Sequence, residues 1–201
     1  MSMPLSRLIL IAGASTSGKS TMIERLKNGS LPDLCDALGI EDVKSWDLAW
    51  ARNLSRVQES RCGLLLLHYD LLRNEVLNGL ARGESPFSGD DALSILTKVE
   101  RISIVTQWVE ASELARRLSE KRRALVRSVF RRSGRPTRPL RKLTQLSRKL
   151  GVVRHPRRLR DLFGSWVSFC SDLGADAHWI SRSTGESYEL NAAAEWAIPT
   201  A

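Results

Sequence analysis

Four short apolar runs along the chain have the length and content of buried strands. They cover residues 7–12, 63–70, 101–108 and 177–180. The second run is rich in leucine, which favours helices, but its shortness and unbroken apolarity are typical of a parallel strand buried on both faces. The third run is rich in β-branched residues, which favour strands. We therefore predict a strand at each of the four runs.

Amphipathic stretches lie between these runs and predict helices. The first helix covers residues 21–27, and Asn28 and Gly29 end it. Trp46, Trp50 and Leu54 recur at helical spacing, which predicts a helix over residues 43–56. Further helices are predicted at 71–80, 91–99, 110–132, 140–150, 161–173 with Asp161 as its N-cap, and 191–196, with a loop at 82–91 and a break at 134–139.

Strands that alternate with helices predict an α/β fold, with a mostly parallel sheet and helices on both of its faces. We expect one domain over residues 1–201, and no clear strand bearing an acceptor-binding carboxylate is predicted between residues 30 and 60. In a sheet of this kind, ligands bind at the carboxyl ends of the strands.

The composition agrees with a globular protein in a reducing compartment. The chain has 201 residues, of which 42% are hydrophobic, and no apolar run approaches the roughly 20 residues that cross a bilayer. Cys35, Cys62 and Cys170 are far apart, odd in number and without metal-ligand spacing. We therefore predict buried thiols, no transmembrane segment and a cytoplasmic location.

Positive charge is concentrated in one segment of the chain. The net charge is +9, but residues 116–160 contain 18 of the 31 Lys and Arg residues and one acid, Glu120. This segment therefore carries +17, and the rest of the chain carries −8. Such a segment predicts an anionic partner, either an anionic acceptor molecule, a nucleic acid or an anionic membrane surface. Phe130 is the one aromatic residue within it, so stacking of bases on this segment is not expected.

The turn after the first strand carries the most specific motif of the sequence. It matches the phosphate-binding pattern G-x-x-x-x-G-K-[ST] without a mismatch. The matching residues are Gly13, Ala14, Ser15, Thr16, Ser17, Gly18, Lys19 and Ser20. A strand before the motif and a helix after it are the context that this pattern requires.

The residue types of the motif explain how it binds a nucleotide. Its glycines allow close approach of the backbone, and successive N–H groups through Thr21 point at a phosphate chain. Lys19 provides a positive charge for the β- and γ-phosphates and is a predicted catalytic residue. The Ser20 hydroxyl is a predicted ligand of Mg²⁺. The motif thus predicts ATP and Mg²⁺ as cofactors.

Asp70 is the second candidate, because it ends the leucine-rich strand at the predicted ligand edge of the sheet. Its carboxylate can hold Mg²⁺, or it can take a proton from an acceptor hydroxyl, and it can also cap the following helix. The sequence leaves these roles open. Arg73 lies one helical turn further on, where it either binds an anionic acceptor or pairs with Asp70.

The segment after the third strand resembles the small P-loop kinases of the nucleoside and nucleotide kinase group. In that family an L-x-x-R-L helix leads into an arginine-bearing lid, and Leu114-x-x-Arg117-Leu118 matches this element. The resemblance implies a three-layer P-loop NTPase fold with a basic, helical, lid-like insertion at about 110–160. It also implies that an arginine of this segment stabilises the transferring phosphoryl group. The candidates are Arg116, Arg117, Arg122 and Arg123, with Arg117 predicted as catalytic and Arg122, like Arg73, as substrate-binding.

The expected function is that of a kinase, which transfers the γ-phosphate of Mg-ATP to a small-molecule or glycan-like hydroxyl acceptor. One alternative is a regulatory or nucleic-acid-binding protein that responds to NTP. A second alternative is a sulfotransferase-like enzyme, which shares the fold but uses a nucleotide phosphosulfate without a metal. The Lys19-Ser20 pair favours a Mg-nucleotide instead.

Overall fold

A computed structural model describes residues 5–41, 46–51, 63–87, 89–131, 137–182 and 188–192. These residues form an α/β structure with one six-stranded sheet. The strands are β1 (Arg7–Gly13), β2 (Asp47–Trp50), β3 (Leu64–His68), β4 (Arg101–Trp108), β5 (Asp176–Arg182) and β6 (Tyr188–Ala192). Their order is β2-β3-β1-β4-β5-β6; the first five are parallel, and β6 runs antiparallel to β5. The predicted α/β class and mostly parallel sheet are confirmed.

Six α-helices of the described residues connect and cover the strands. They are α1 (Lys19–Lys27), α2 (Pro32–Leu38), α3 (Asn74–Arg82), α4 (Ala111–Arg131), α5 (Thr137–Val153) and α6 (Pro156–Asp172), with a 3₁₀ helix at Ser94–Lys98. Among the described residues, no helix is long and apolar enough to cross a membrane.

Apolar side chains cover both faces of the sheet. On β1, Leu8 and Leu10 belong to a core cluster with residues of α3, α4, α5 and α6, whereas Ile9 and Ile11 belong to a second cluster with α1 and α2. This alternation is the pleat of a strand, and it explains why β1 is apolar at every position from Leu8 to Ala12. The arrangement is compatible with a three-layer α/β fold.

Burial also explains the leucine-rich strand. Leu65, Leu66 and Leu67 are at most 2% exposed, and each such burial stabilises the fold by about 1.5–3 kcal/mol. The intrinsic preference of leucine for a helix is smaller, about 1 kcal/mol or less per residue. The strand prediction for residues 63–70 is confirmed over Leu64–His68.

Two helix predictions are wrong where the structure describes them. Within residues 43–56, Asp47–Trp50 form β2, which pairs with β3 from Asp47 opposite Leu65 to Trp50 opposite His68. A strand therefore does exist between residues 30 and 60. Residues 191 and 192, expected to open a closing helix, belong to β6 instead. Residues 42–45, 52–62 and 193–201 lie outside the described residues.

Several helix boundaries also differ from the predictions. The helix α6 begins at Pro156, because proline fits the first turn of a helix. Its N-cap, His155, lies six residues before the predicted cap Asp161. The helix α5 already includes residues 137–139, where a break was expected. Only the 3₁₀ turn at Ser94–Lys98 forms within the predicted helix 91–99.

The sheet order brings the two motif-bearing strands together. The strand β3 pairs directly with β1, and the chain beyond it stays attached, since the Tyr69 N–H donates to Ile11 O at 2.9 Å and the Leu71 N–H donates to Gly13 O at 3.0 Å. Asp70 is thereby fixed next to the turn that follows β1.

Candidate functional site

The turn between β1 and α1 has the backbone shape that its glycines predict. Gly13 and Gly18 have φ angles of 151° and 103°, and Gly18 is the N-cap of α1. Thr16 also has a positive φ, 69°, which is an unfavourable conformation for a β-branched residue. The Ser17 N–H donates to Ala14 O at 3.2 Å and closes the turn.

Gly13 is required by its surroundings as well as by its backbone angle. A Cβ atom at this position would lie 2.8 Å from Gln107 O and 2.8 Å from Ser17 Oγ. We expect Gly13→Ala to lower the free energy of unfolding by about 2–4 kcal/mol, from the clash and the strained φ together.

Gly29→Ala is the matched control, because Gly29 has φ 74° but open space around it. Its cost is expected to be about 1–2 kcal/mol. Equal urea midpoints for the two variants would contradict this explanation.

The start of α1 presents backbone donors without acceptors. Within the motif turn, which the structure describes throughout, the N–H groups of residues 18–21 make no main-chain hydrogen bond. No side chain caps this end of the helix, and its first turn contains no acidic residue. The positive end of the helix dipole is therefore open to an anion.

Lys19 is a buried ammonium group without a carboxylate in contact among the described residues. It is 3% exposed, and its Nζ donates to Gly13 O at 2.9 Å and to Ala14 O at 2.6 Å. Burial lowers the pKa of Lys19 to about 8, although the nearby charge of Asp70 opposes part of this shift. A buried charge satisfied only by neutral carbonyls is the environment in which a bound anion stabilises the ammonium most.

Asp70 accepts hydrogen bonds from three parts of the chain. Its Oδ2 accepts from the Ser15 hydroxyl of the turn and from Lys149 Nζ of α5, the latter at 2.7 Å. Its Oδ1 accepts from the Leu72 N–H at 3.1 Å. Burial alone would raise the pKa of Asp70, but the charges of Lys19 and Lys149 and these hydrogen bonds hold it well below its usual range. The carboxylate is therefore ionised at neutral pH.

Arg117 connects α4 to the same turn. Its Nη1 donates to Thr16 O at 3.0 Å, and its Nε donates to Glu113 Oε1 at 2.7 Å. This contact is made at the residue with the strained backbone, so it helps to hold the turn in shape. Of the arginines predicted from the kinase resemblance, Arg117 is the one that the structure brings to the turn.

A cavity of about 1120 Å³ opens between the turn, the carboxyl ends of β2 and β3, and the helices α3, α4 and α5. Five residues of the motif line it, namely Ser15, Thr16, Gly18, Lys19 and Ser20. At the β2 and β3 ends, the rings of Trp50 and His68 lie 4.3 Å apart between centroids and form part of the wall. Asp70, Arg73 and cations of α4 and α5 also face this space.

The remaining predicted residues lie outside this cavity or are engaged elsewhere. Gly13, Ala14 and Ser17 are buried and shape the turn without lining the cavity, while Thr21 and Arg122 are exposed and lie outside its lining. Substrate binding by Arg122 stays a prediction.

Arg73 lines the cavity but does not pair with Asp70. Its Nη1 lies 3.0 Å from Asp90 Oδ1 and its Nε 2.9 Å from Glu75 Oε2. Asp90 also accepts a hydrogen bond from the Tyr69 hydroxyl at 2.7 Å. Arg73 is therefore part of a polar cluster that braces the start of α3.

Sequence reasoning missed three lysines that line the cavity: Lys121 of α4, and Lys142 and Lys149 of α5. The spacing of Lys142, Leu146 and Lys149 does place the α5 lysines on the same helical face as the buried Leu146. What the spacing does not show is that this face meets the turn after β1, more than 100 residues earlier in the chain.

The oxygen ligands here fit a magnesium ion that is bound together with a nucleotide. Mg²⁺ prefers hard oxygen ligands and is usually held by one or two carboxylates and by substrate phosphates. Ser20 and Asp70, which carry such oxygens, both line the cavity. Within the described part of the chain, no three His, Cys, Asp or Glu side chains form a metal-binding cluster. A magnesium ion here would therefore need oxygens from its nucleotide.

Comparisons with protein-family models, with curated proteins and with solved structures found no match. The functional interpretation of this site rests on its geometry and on the sequence motif that builds it.

Proposed function

We propose that the chain is a kinase that transfers the γ-phosphoryl group of Mg-ATP to a hydroxyl acceptor, either a small molecule or a glycan-like compound. The observation that carries this proposal is Lys19, a buried ammonium at the start of a helix whose first N–H groups are unpaired. A phosphate chain is the ligand that satisfies both features at once.

Different residues of the cavity would have different roles in such a reaction. The N–H groups of residues 18–21 and Lys19 would bind phosphate oxygens and keep water away from one side of them. Ser20 and Asp70 would hold Mg²⁺, which, when bound, neutralises phosphate charge and makes the γ-phosphorus more electrophilic. Arg117 already reaches the turn and would add positive charge from α4.

The low pKa of Asp70 favours the metal-holding role over the base role. A general base works best when its pKa is near the working pH, and Asp70 is held well below its usual range. Its ionised carboxylate is suited to a cation. We therefore assign Asp70 to the metal. The acceptor oxygen would form its bond to the γ-phosphorus as the bond from that phosphorus to the β–γ bridging oxygen breaks, and the acceptor proton would pass to an oxygen of the transferred phosphoryl group.

The cavity has room for an acceptor beside the nucleotide. Its volume of about 1120 Å³ is above the roughly 300–1,000 Å³ of typical ligand pockets. The sheet order places the Trp50–His68 wall on the side of Asp70 away from the motif turn, because β3 separates β2 from β1. Lys142 provides positive charge from α5 in the same cavity, which suits an anionic acceptor.

Turnover of ATP with purified protein and a broad library of hydroxyl compounds tests the proposal. The expected result is ADP production that depends on one class of acceptor and on Mg²⁺. Hydrolysis that no acceptor accelerates would contradict a kinase. Nucleotide affinity that is the same with and without Mg²⁺ would favour the sulfotransferase-like alternative.

The pKa of Lys19 predicts how nucleotide affinity depends on pH. Burial lowers the pKa of Lys19 to about 8 in the free protein, and a bound phosphate raises it again. Binding then takes up a proton near pH 8.5. We expect affinity for ATP to fall on the order of tenfold from pH 8 to pH 9.5. Calorimetry in two buffers of different ionisation enthalpy measures the proton uptake, and release of a proton would contradict the assignment.

A nucleotide-dependent nucleic-acid-binding protein is the second candidate, favoured by the exposed cations of α4 and α6. Arg122, Arg123 and Arg127 are exposed on α4, and Arg157 and Arg158 on α6. Cations on a solvent-facing surface bind a phosphate backbone with affinity that falls steeply with salt. Absence of RNA or DNA binding near 0.1 M salt, with and without ATP, would remove this candidate.

A further inference from the structure

We propose that Lys149 occupies, in the nucleotide-free protein, the place at Asp70 that a magnesium ion takes when the nucleotide binds. Entry of the metal then displaces Lys149 and detaches α5 from the motif turn. This inference rests on the proposed function, and it assigns a positioning role to a residue outside the sequence motif.

The contacts of Lys149 are those of a bound cation. Its Nζ lies 2.7 Å from Asp70 Oδ2 and also donates to the Ser15 hydroxyl. The Lys149 side chain is 16% exposed and that of Asp70 is 23% exposed, so the pair is largely shielded from water. One ammonium group thus joins the motif turn, the end of β3 and the helix α5 through two oxygen atoms.

Lys149 and a metal ion would compete for Asp70, because its Oδ2 already accepts from Lys149 and Ser15 and its Oδ1 accepts from the Leu72 N–H. Asp70 already lies in the field of Lys19, which is held by the carbonyls of the turn. A magnesium ion at Oδ2 would place a third cationic group around a single carboxylate, and like charges at such distances repel strongly. Departure of Lys149 would remove this repulsion.

The helix α5 is attached by one contact that the displacement of Lys149 would break and by other contacts that it would leave intact. Lys149 ties the helix to the turn, whereas Arg148 Nη2 donates to Asn78 Oδ1 of α3 at 2.7 Å, and Leu146 and Leu150 are buried in the core cluster. Loss of the Lys149 contact therefore loosens α5 on its cavity side while the helix stays packed. The cavity would then widen on the side lined by α5.

The test measures how much Mg²⁺ is needed to strengthen binding of ADP. ADP affinity is determined by calorimetry over a series of Mg²⁺ concentrations, and the Mg²⁺ concentration at half of the full effect is compared between variants. We expect Lys149→Met to lower this concentration on the order of tenfold, because the competing cation is gone. Lys149→Arg retains a cation and is expected to stay at or above the value of the unmodified protein.

Arg141→Met is the matched control, since Arg141 is exposed on the same helix and its loss changes the net charge equally. Its Mg²⁺ concentration at half of the full effect is expected to stay within about twofold of that of the unmodified protein, as is usual for surface sites.

Circular dichroism checks that each variant is folded, and Lys149→Arg tests the competition if Lys149→Met does not fold. An unchanged or higher half-point in folded Lys149→Met, or a lowered half-point in Lys149→Arg, would overturn the inference. Absence of ADP binding to the unmodified protein would instead overturn the proposed function itself.

Hydrogen exchange gives a readout that does not depend on affinity. In the unmodified protein, amides around residues 146–153 of α5 are expected to exchange faster with Mg²⁺ and ADP than with ADP alone. In Lys149→Met, each of these amides should exchange equally fast with ADP alone and with ADP and Mg²⁺. Equal protection of α5 in the unmodified protein with and without Mg²⁺ would show that the helix is not released and would contradict the proposal.

Discussion

Replacing Lys19 with methionine is expected to weaken binding of Mg-ATP on the order of 100-fold while leaving the free protein at least as stable. The loss of affinity follows from removal of a charge-assisted contact worth roughly 1.5–3 kcal/mol. The stability follows from the position of Lys19, which is 3% exposed and, within the part of the chain that the structure describes, hydrogen-bonds to two carbonyl groups. An apolar side chain at a buried charged position is often neutral or stabilising.

Calorimetry with Mg-ATP and urea unfolding of the free protein measure the two effects separately. Lys27→Met is the control, because Lys27 lies at the other end of α1 and does not line the cavity. It removes the same charge and is expected to change neither quantity appreciably. ATP affinity of Lys19→Met within about threefold of the unmodified protein would show that the ammonium does not bind phosphate.

Replacing Asp70 with asparagine is expected to lower the rate of phosphoryl transfer by about 10²–10⁴-fold. The amide keeps the size of the side chain but loses the negative charge that would hold Mg²⁺. It also leaves Lys19 and Lys149 without their nearest carboxylate. Binding of ADP without Mg²⁺ should change little, and the gain in affinity that Mg²⁺ normally gives should disappear.

Steady-state turnover and ADP titrations with and without Mg²⁺ check this prediction. Asp33→Asn is a suitable control, since Asp33 is exposed on α2 and outside the cavity. A turnover rate of Asp70→Asn within tenfold of the unmodified enzyme would contradict the role of Asp70. If Asp70→Asn loses most of its turnover but Mg²⁺ still strengthens ADP binding as in the unmodified protein, Asp70 acts as a base and not as a metal ligand.

The turn after β1 was predictable because everything that builds it is close in sequence. The apolar strand, the two glycines and the amphipathic helix follow each other within about 20 residues, so spacing alone sets the order strand, turn, helix. The structure confirms that order and the positive φ angles of Gly13 and Gly18. Phosphate binding by the turn remains a prediction.

The edges of the sheet could not be predicted in the same way. The strand β2 has four residues, too few to show a period, and Trp46, Trp50 and Leu54 fit a helix by spacing alone. Its stability comes from pairing with β3, which no local pattern reveals. Residues 191 and 192 were misassigned for the same reason, because β6 depends on its pairing with β5.

The site itself was partly predictable. Asp70 was recognised because strand ends collect at one edge of a parallel sheet. Lys149 was missed, although it contacts Asp70 at 2.7 Å, because the packing of α5 against the turn depends on contacts distant in sequence. Arg117 was singled out by its match to L-x-x-R-L, and the structure brings it to Thr16 O, whereas Arg122 is exposed and lies outside the cavity lining.

A crystal structure of the protein with a non-hydrolysable ATP analogue and Mg²⁺ tests the central claim most directly. We expect phosphate oxygens within hydrogen-bonding distance of the N–H groups of residues 18–20, and Lys19 Nζ turned from Gly13 O and Ala14 O to the phosphates. Asp70 should then face the metal, with Lys149 displaced from it. An analogue bound elsewhere, with Lys19 still on the carbonyls of the turn, would contradict the assignment of this turn as the nucleotide site.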